Sequence, residues 1–142
     1  MASILNPYLN FRGDARAALE FYHSVFGGEL TVSSFADLGA TDVAEEERDL
    51  VMHGQLETPS GFTLMASDVP NHMPWDRGTN SFSISLSGRS GDDADLRRYW
   101  NGLSERATIQ EPLATAPWGA TFGMLADRFG VNWLVNISAD AD

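Results

Sequence analysis

The sequence predicts an α+β fold built from two tandem βαβββ modules. Residues 4–11 alternate between two sets of side chains in an apolar-rich run, and residues 81–87, SFSISLS, alternate again, as strands do. Each run precedes a segment with apolar side chains at helical spacing. The same order of elements therefore recurs along the chain. Neither half covers its own sheet face, so we expect the two halves to share one core.

The first module is expected to occupy about residues 1–68. Its helix should begin at Asp14, a suitable N-cap whose carboxylate would reach the free N–H groups of the first turn, and should end at a double glycine. Residues 36–48 indicate a mobile loop that can hold a helical turn at residues 43–48, in which the acidic run at residues 45–47 faces solvent. Three further strands are predicted at residues 29–35, 49–57 and 62–68.

A linker with two prolines is expected at residues 69–79, followed by the second module at about residues 80–138. Asp92 and Asp93 would open the second helix, whose apolar stripe is Leu96, Tyr99, Trp100 and Leu103. The remaining strands are predicted at residues 107–113, stopping near Pro112, and at residues 118–126 and 131–137.

The two modules predict an internal duplication. A shift of 78 residues places Tyr8 on Leu86 and Asp14 on Asp92, and a shift of 69 places Gly61 on Gly130 near the module ends. The agreement lies in the order of strand, helix and glycine turn more than in identical residues.

Composition limits the classes of function. With 142 residues and 43% hydrophobic side chains, the chain suits one packed domain. It has no cysteine, which excludes disulfides, thiolate metal sites and cysteine nucleophiles. The net charge of −11, without any lysine, disfavours nucleic acids and excludes Schiff-base chemistry. No membrane segment or signal peptide is indicated, so we expect a cytoplasmic protein that binds neither membrane nor nucleic acid.

Four motifs resemble the vicinal oxygen chelate superfamily, which includes glyoxalase I, extradiol dioxygenases and bleomycin resistance proteins. They are F-R-G-D-A at residues 11–15, V-F-G-G at 25–28, L-M-A-S-D at 64–68 and D-R-F-G-V-N-W at 127–133. The last two are similar to the PhnB-like branch, also labelled 3-demethylubiquinone-9 3-methyltransferase-like. The resemblance implies that the modules pair into a curved, mostly antiparallel sheet around a cleft, with helices on the outer face, and that the protein is a homodimer.

Active members of this superfamily hold a divalent metal with His, Gln or Glu side chains from the first strand of each module and from a late strand. The matching positions here are Pro7, the serines Ser81, Ser83 and Ser85, and Leu134. None of these is a good divalent-metal ligand. The sequence therefore predicts no metal and no cofactor, and it lacks the glycine-rich loop that a nucleotide cofactor would need.

The remaining candidates suggest a binding cleft between the modules. His53, placed in phase with Val51 and Gln55, is the best titratable candidate and the best candidate for a catalytic residue. Trp75 and Trp118 stand beside Gly or Pro in loops and suit a ligand wall. The predicted ligand-binding residues are His53, Gln55, Trp75, Asn80, Ser83 and Trp118.

Three functions stay open at this point. The chain can be a metal-independent small-molecule binding protein, whose acidic surface and aromatic rings would suit a flat cation. It can be an enzyme of the superfamily that uses an unrecognised acid–base residue, His53 being the candidate, or a non-standard metal site. It can also have a vestigial cleft and act by association with a partner protein.

Overall fold

The computed structural model describes residues 3–40, 43–78 and 81–139. These residues form an α+β structure in the predicted order, which confirms the two tandem βαβββ modules. Its elements are β1 (Tyr8–Phe11), α1 (Ala15–Phe26), β2 (Glu29–Ser34), β3 (Val51–Glu57), β4 (Thr63–Asp68), β5 (Ile84–Arg89), α2 (Asp93–Leu103), β6 (Thr108–Thr115), β7 (Thr121–Ala126) and β8 (Asn132–Ser138).

The chain divides into two compact units, Met1–Arg77 and Gly78–Asp142. Each contains one four-stranded sheet, with strand order β1-β4-β3-β2 in the first and β5-β8-β7-β6 in the second. The first pair in each order, β1 with β4 and β5 with β8, is parallel, and the other pairs are antiparallel. The identical topology confirms the duplication.

Helix α1 covers one face of the first sheet. Leu9 pairs with Ala66, and Ala66 pairs with Gly54, at which an added Cβ would meet the side chain of Leu19 from α1. Leu9, Ala66 and Leu19 are buried. We call the other face of each sheet, turned away from its own helix, the open face. Because side chains alternate along a strand, Tyr8 and Asn10 lie on the open face.

The start of α1 is capped differently from the prediction. Asp14 occupies the N-cap position but makes no side-chain capping hydrogen bond. Instead, Oδ1 of Asp68 accepts hydrogen bonds from the N–H groups of Gly13 (2.7 Å) and Ala15 (3.1 Å). Its Oδ2 accepts one from the N–H of Val51 (3.0 Å). The buried Asp68 carboxylate therefore joins the helix start, β3 and β4 at one point.

The second unit buries the predicted stripe of α2, whose members Leu96, Tyr99, Trp100 and Leu103 are all buried. Several strand predictions were wrong in their bounds: β1 begins at Tyr8, not at residue 4, and β7 begins at Thr121, not at residue 118. The strand predicted at residues 81–87 begins three residues later, at Ile84, and Phe82 is exposed before it. The strand predicted to stop near Pro112 continues to Thr115, with irregular pairing on either side of Glu111.

The predicted shift of 78 residues holds for the helices but not for the first strands. Leu9 pairs with Ala66 in β4, and Leu86 pairs with Val135 in β8. Ala66 and Val135 are 69 residues apart, so Leu9, not Tyr8, is the counterpart of Leu86. The first strands are therefore related by a shift of 77, because one residue more separates β5 from α2 than separates β1 from α1. The prediction placed an exposed tyrosine on a buried leucine.

The acidic run at residues 45–47 also differs from the prediction, because Glu47 is buried. Its Oε2 accepts a hydrogen bond from the N–H of Asn71 at 2.8 Å. The run forms a short 3-10 helix, and only Glu45 and Glu46 are exposed. Within the described parts of the chain, neither α-helix has the length and apolar character that crossing a membrane requires.

Candidate functional site

A β-bulge in β3 determines which side chains reach the open face of the first sheet. Ser33 pairs with His53, whereas the next residue, Ser34, pairs with Val51, so Met52 is an extra residue in β3. Val51 therefore faces α1 while His53 lies on the open face, and the predicted phase of Val51 with His53 was wrong. Bulges of this kind redirect side chains and are frequent beside functional sites.

On the open face, His53 lies against two polar side chains. The Tyr8 Oη lies 3.4 Å from His53 Nδ1, and His53 Nε2 lies 3.4 Å from Gln55 Oε1. Both contacts are long for hydrogen bonds, and which ring nitrogen donates depends on the tautomer of the imidazole. The predicted neighbours His53 and Gln55 are thus together, and Tyr8 joins them in a polar cluster.

Residues 69–77, which we call the strap, return from the end of β4 across the end of β1. The Arg12 side chain donates hydrogen bonds to the carbonyl oxygens of Val69 (3.2 Å), Pro70 (3.2 Å) and Met73. Its guanidinium carbon lies 5.6 Å from the ring centroid of Trp75. One arginine therefore holds three carbonyl groups and one ring of the strap.

A pocket of about 290 Å³ lies between the strap and the sheet. The strap contributes Pro70, His72 and Met73, and β1 and β4 contribute Asn10 and Ser67. The apolar lining also includes Phe35 and Met52, the extra residue of the bulge. Asn10 follows Tyr8 by two residues on the same face of β1, about 7 Å along the strand. The pocket therefore adjoins the Tyr8–His53–Gln55 cluster.

Trp75 makes contacts of its own within the first unit, and its predicted role in a ligand wall stays a prediction. Its Nε1 donates a hydrogen bond to the carbonyl oxygen of Asn10 (3.0 Å), and the Arg77 guanidinium carbon lies 5.9 Å from its ring centroid, in addition to Arg12. Trp75 therefore fastens the strap to β1. Arg77 also forms an exposed ion pair with Asp14 at 3.7 Å, which reinforces the same attachment weakly.

The other predicted binding residues belong to the second unit. Trp118 is 70% exposed and contacts Phe122 edge-on, with ring centroids 6.3 Å apart. Ser83 is exposed and precedes β5. Asn80 lies outside the described residues. Neither Trp118 nor Ser83 is among the described lining residues, and the roles of all three residues in binding stay predictions.

The residues at the superfamily's metal positions do not fit a divalent ion. On the open faces of the relevant strands stand Tyr8 and Asn10 in β1 and Ser85 and Ser87 in β5. The remaining strand, β8, presents Leu134 and Asn136. These side chains include no carboxylate and no imidazole. Across residues 3–40, 43–78 and 81–139, no three His, Cys, Asp or Glu side chains are grouped so that they could hold a metal.

One carboxyl group near the pocket has a perturbed pKa. Asp37 accepts a hydrogen bond from the N–H of Ser34 (3.0 Å), and this bond, followed by the contact with the Ser34 hydroxyl, lowers the pKa of the Asp37 carboxyl. Desolvation acts against this lowering, and the positive charge of Arg16, the smallest of the four causes, adds to it. The two residues form a small turn at the end of β2, which leads directly into Phe35 of the pocket.

The site residues that the sequence did not reveal are Arg12, Met52, Asn10 and Ser67. Asn10 was accessible in principle, because it alternates with the buried Leu9 and Phe11. Met52 carried no signal, since nothing in VMHGQLE marks the extra residue. The contacts of Arg12 with the strap lie about sixty residues away in the chain, and no local pattern reports them.

Comparison with known proteins places this geometry in a family. The model of the Glyoxalase/Bleomycin resistance protein/Dioxygenase superfamily matches residues 4–135. Protein YjdN of Escherichia coli K12 is 27% identical over 144 residues, with 94% of each chain covered.

Among solved structures, protein PA1353 from Pseudomonas aeruginosa is 38% identical, with a TM-score of 0.81, and the match covers 98% of this chain and all of the other. A PhnB protein from Bacillus cereus shares the fold at 22% identity, with a TM-score of 0.72 and coverage of 96% and 100%. The chain belongs to the Glyoxalase/Bleomycin resistance protein/Dioxygenase superfamily.

Proposed function

We propose that the chain binds a small organic molecule on the open face of its first sheet, without a divalent metal at the superfamily's usual positions. The observation that supports this most directly is the pocket of about 290 Å³ beside the Tyr8–His53–Gln55 cluster. Ligand sites are commonly concave and mostly apolar, with a few polar groups that fix orientation. The pocket has this character, although it is at the small end of the usual range.

The polar cluster gives this site its orienting groups. Tyr8 and His53 are in contact, and Gln55 lies on the other side of the imidazole. Their separations of 3.4 Å are long for hydrogen bonds, so a ligand that offers a donor or an acceptor can compete with them at little cost. A bound hydroxyl or carbonyl group would then form shorter hydrogen bonds with the side chains of this cluster.

The binding function is tested on protein purified from cells without added ligands or metals. Native mass spectrometry should detect a non-covalent organic adduct, and the single variant His53→Ala should lose it or retain less of it. The matched control, Ser85→Ala, changes an exposed open-face side chain in the second unit. Protein that carries no adduct, and that binds nothing from a small-molecule extract of the same cells, would contradict the proposal.

Metal independence is tested separately by thermal melting. We expect Zn²⁺, Ni²⁺ and Mn²⁺ to leave the melting temperature unchanged, because an ion that binds only the folded state would raise it. The supporting observation is the uncharged set at the metal positions, Tyr8, Ser85 and Leu134 among them. A rise of several degrees that EDTA reverses would overturn this part.

The second candidate is an enzyme in which His53 acts as general base or acid. It is favoured by one observation, the contact of both imidazole nitrogens with polar side chains, which orients the ring. In that case the wild-type protein should consume a compound in a cell extract, and the His53→Gln variant should not consume it. Depletion by both proteins, or by neither, would count against a catalytic His53.

Homodimer formation and a cytoplasmic location stay predictions. The first rests on the resemblance to the superfamily, and sedimentation equilibrium at micromolar concentration would measure it. A monomer throughout that range would refute it.

A further inference from the structure

Among the described residues, the pocket offers a ligand neither a spare guanidinium nor a spare carboxylate. Of its described lining residues, Asp68 and His72 are the titratable ones. The Asp68 carboxylate is buried and already accepts three backbone hydrogen bonds, from Gly13, Ala15 and Val51. It therefore holds the fold together and is not offered to a bound molecule.

The nearest guanidinium is engaged in the same way. Arg12 donates to the carbonyl oxygens of Val69, Pro70 and Met73, all of which belong to lining residues. The Arg12 guanidinium thus stabilises residues that line the pocket, while Arg12 is not among the described lining residues. An anion in the pocket would lose hydration without gaining this partner, and the net charge of −11 would oppose it further.

The apolar lining suits an aromatic ring. Met52 and Met73 are 40% and 49% exposed, so a large part of each side chain is open to contact. Methionine sulfur makes favourable contacts with aromatic rings, and its flexible side chain adapts to different outlines. Phe35 adds a further ring to the wall, while Asn10 and Ser67 offer an amide and a hydroxyl group at the sheet side.

We propose that the pocket between the strap and the first sheet takes an uncharged aromatic molecule that carries one hydroxyl or carbonyl group, and that Arg12 is a positioning residue for its wall. This inference rests on the proposed binding function and narrows it to a chemical class. The volume of about 290 Å³ limits the occupant to one or two fused rings.

The test uses three probes of similar size and different charge: 1-naphthol, 1-naphthoate and 1-naphthylmethylammonium. The full chain is labelled with ¹³C at the methionine methyl groups, and the signals are assigned with Met52→Leu and Met73→Leu. The experiment runs at pH 8, where imidazoles are ordinarily neutral. We expect 1-naphthol to shift the Met52 and Met73 signals in a saturable manner, and both charged probes to bind at least about tenfold more weakly.

The outcomes separate this inference from the proposed function. Tighter binding of 1-naphthoate or of the ammonium probe at the same methyl groups would overturn the neutral class. Shifts confined to Met124 of the second unit would overturn the location and leave small-molecule binding standing. If no probe binds, this inference is overturned, whereas the binding function falls only if the protein from cells carries no adduct either.

The role of Arg12 has its own readout. Arg12→Gln should weaken 1-naphthol binding about tenfold or more, since its wall would lose the charge-assisted hydrogen bonds. Arg97→Gln, which removes an exposed ion pair of α2, should leave binding unchanged. An Arg12→Gln protein that binds 1-naphthol as tightly as the wild type does would refute the positioning role.

Discussion

Asp68 accepts a hydrogen bond from the N–H of Ala15, 53 residues earlier in the chain, and so caps a helix to which it does not belong. The acid at the N-cap position itself, Asp14, makes no such bond. The side chain that fixes the start of α1 is therefore supplied by the end of β4, and helix and sheet are coupled through one buried carboxylate.

This coupling predicts unequal effects for two aspartates. Asp68→Ala should lower the free energy of unfolding by about 3 kcal/mol or more, because three backbone N–H groups lose a charged acceptor. Asp14→Ala should cost less than about 1 kcal/mol, since it removes only an exposed ion pair. Urea denaturation of both variants measures the difference, and equal losses would contradict the assignment.

The bulge at Met52 predicts that one deletion in β3 is tolerated and another is not. Deleting Met52 restores regular alternation between Val51, His53 and Gly54, so the buried face is kept, and the loss should be about 1–3 kcal/mol. Deleting Gln55 would turn Leu56, which is fully buried, to the open face and should cost more than about 4 kcal/mol. Unfolding free energies would show the order, and a reversed order would refute the bulge.

The strap should loosen when Arg12 is replaced. Arg12→Gln is expected to raise amide deuterium uptake in residues 69–77 and to lower the free energy of unfolding by about 1–3 kcal/mol, because the hydrogen bonds to three carbonyl groups are charge-assisted. The control Arg97→Gln should cost about 0.5 kcal/mol or less and leave uptake in the strap unchanged. Unchanged uptake in Arg12→Gln would show that other contacts hold the strap.

The lowered pKa of Asp37 predicts a small pH dependence of the free energy of unfolding, and it fixes the sign of that dependence. The hydrogen bond from the Ser34 N–H lowers the pKa of the Asp37 carboxyl in the folded protein. Its contribution to stability is therefore present above about pH 4, the ordinary range for an aspartate, and is lost as the pH falls through the lower folded pKa. Asp37→Asn should be less stable than wild type at pH 6 and nearly equal to it at pH 2. A difference that grows on acidification would contradict this sign.

The order of elements could be predicted because it depends on local periodicity. The apolar stripe of α2, for example, follows from Leu96, Tyr99, Trp100 and Leu103 alone. The site could be predicted only in part. His53 and Gln55 were found from their residue types, but the bulge that turns His53 away from Val51 arises from pairing with β2, which no single strand encodes. The contacts of the strap could not be predicted for a similar reason, since its partners at β1 are far away in the chain.

Strand β6 lies at the edge of its own sheet, and Pro112 stands within it. Proline has no N–H to offer, and the pairing with β7 is irregular on either side of Glu111. A strand from a second molecule that paired with this edge would find no N–H donor at Pro112 and an irregular backbone around Glu111. These features are expected to protect the protein against aggregation by strand addition. A variant that replaces Pro112 and makes β6 regular should therefore aggregate more readily than the wild type.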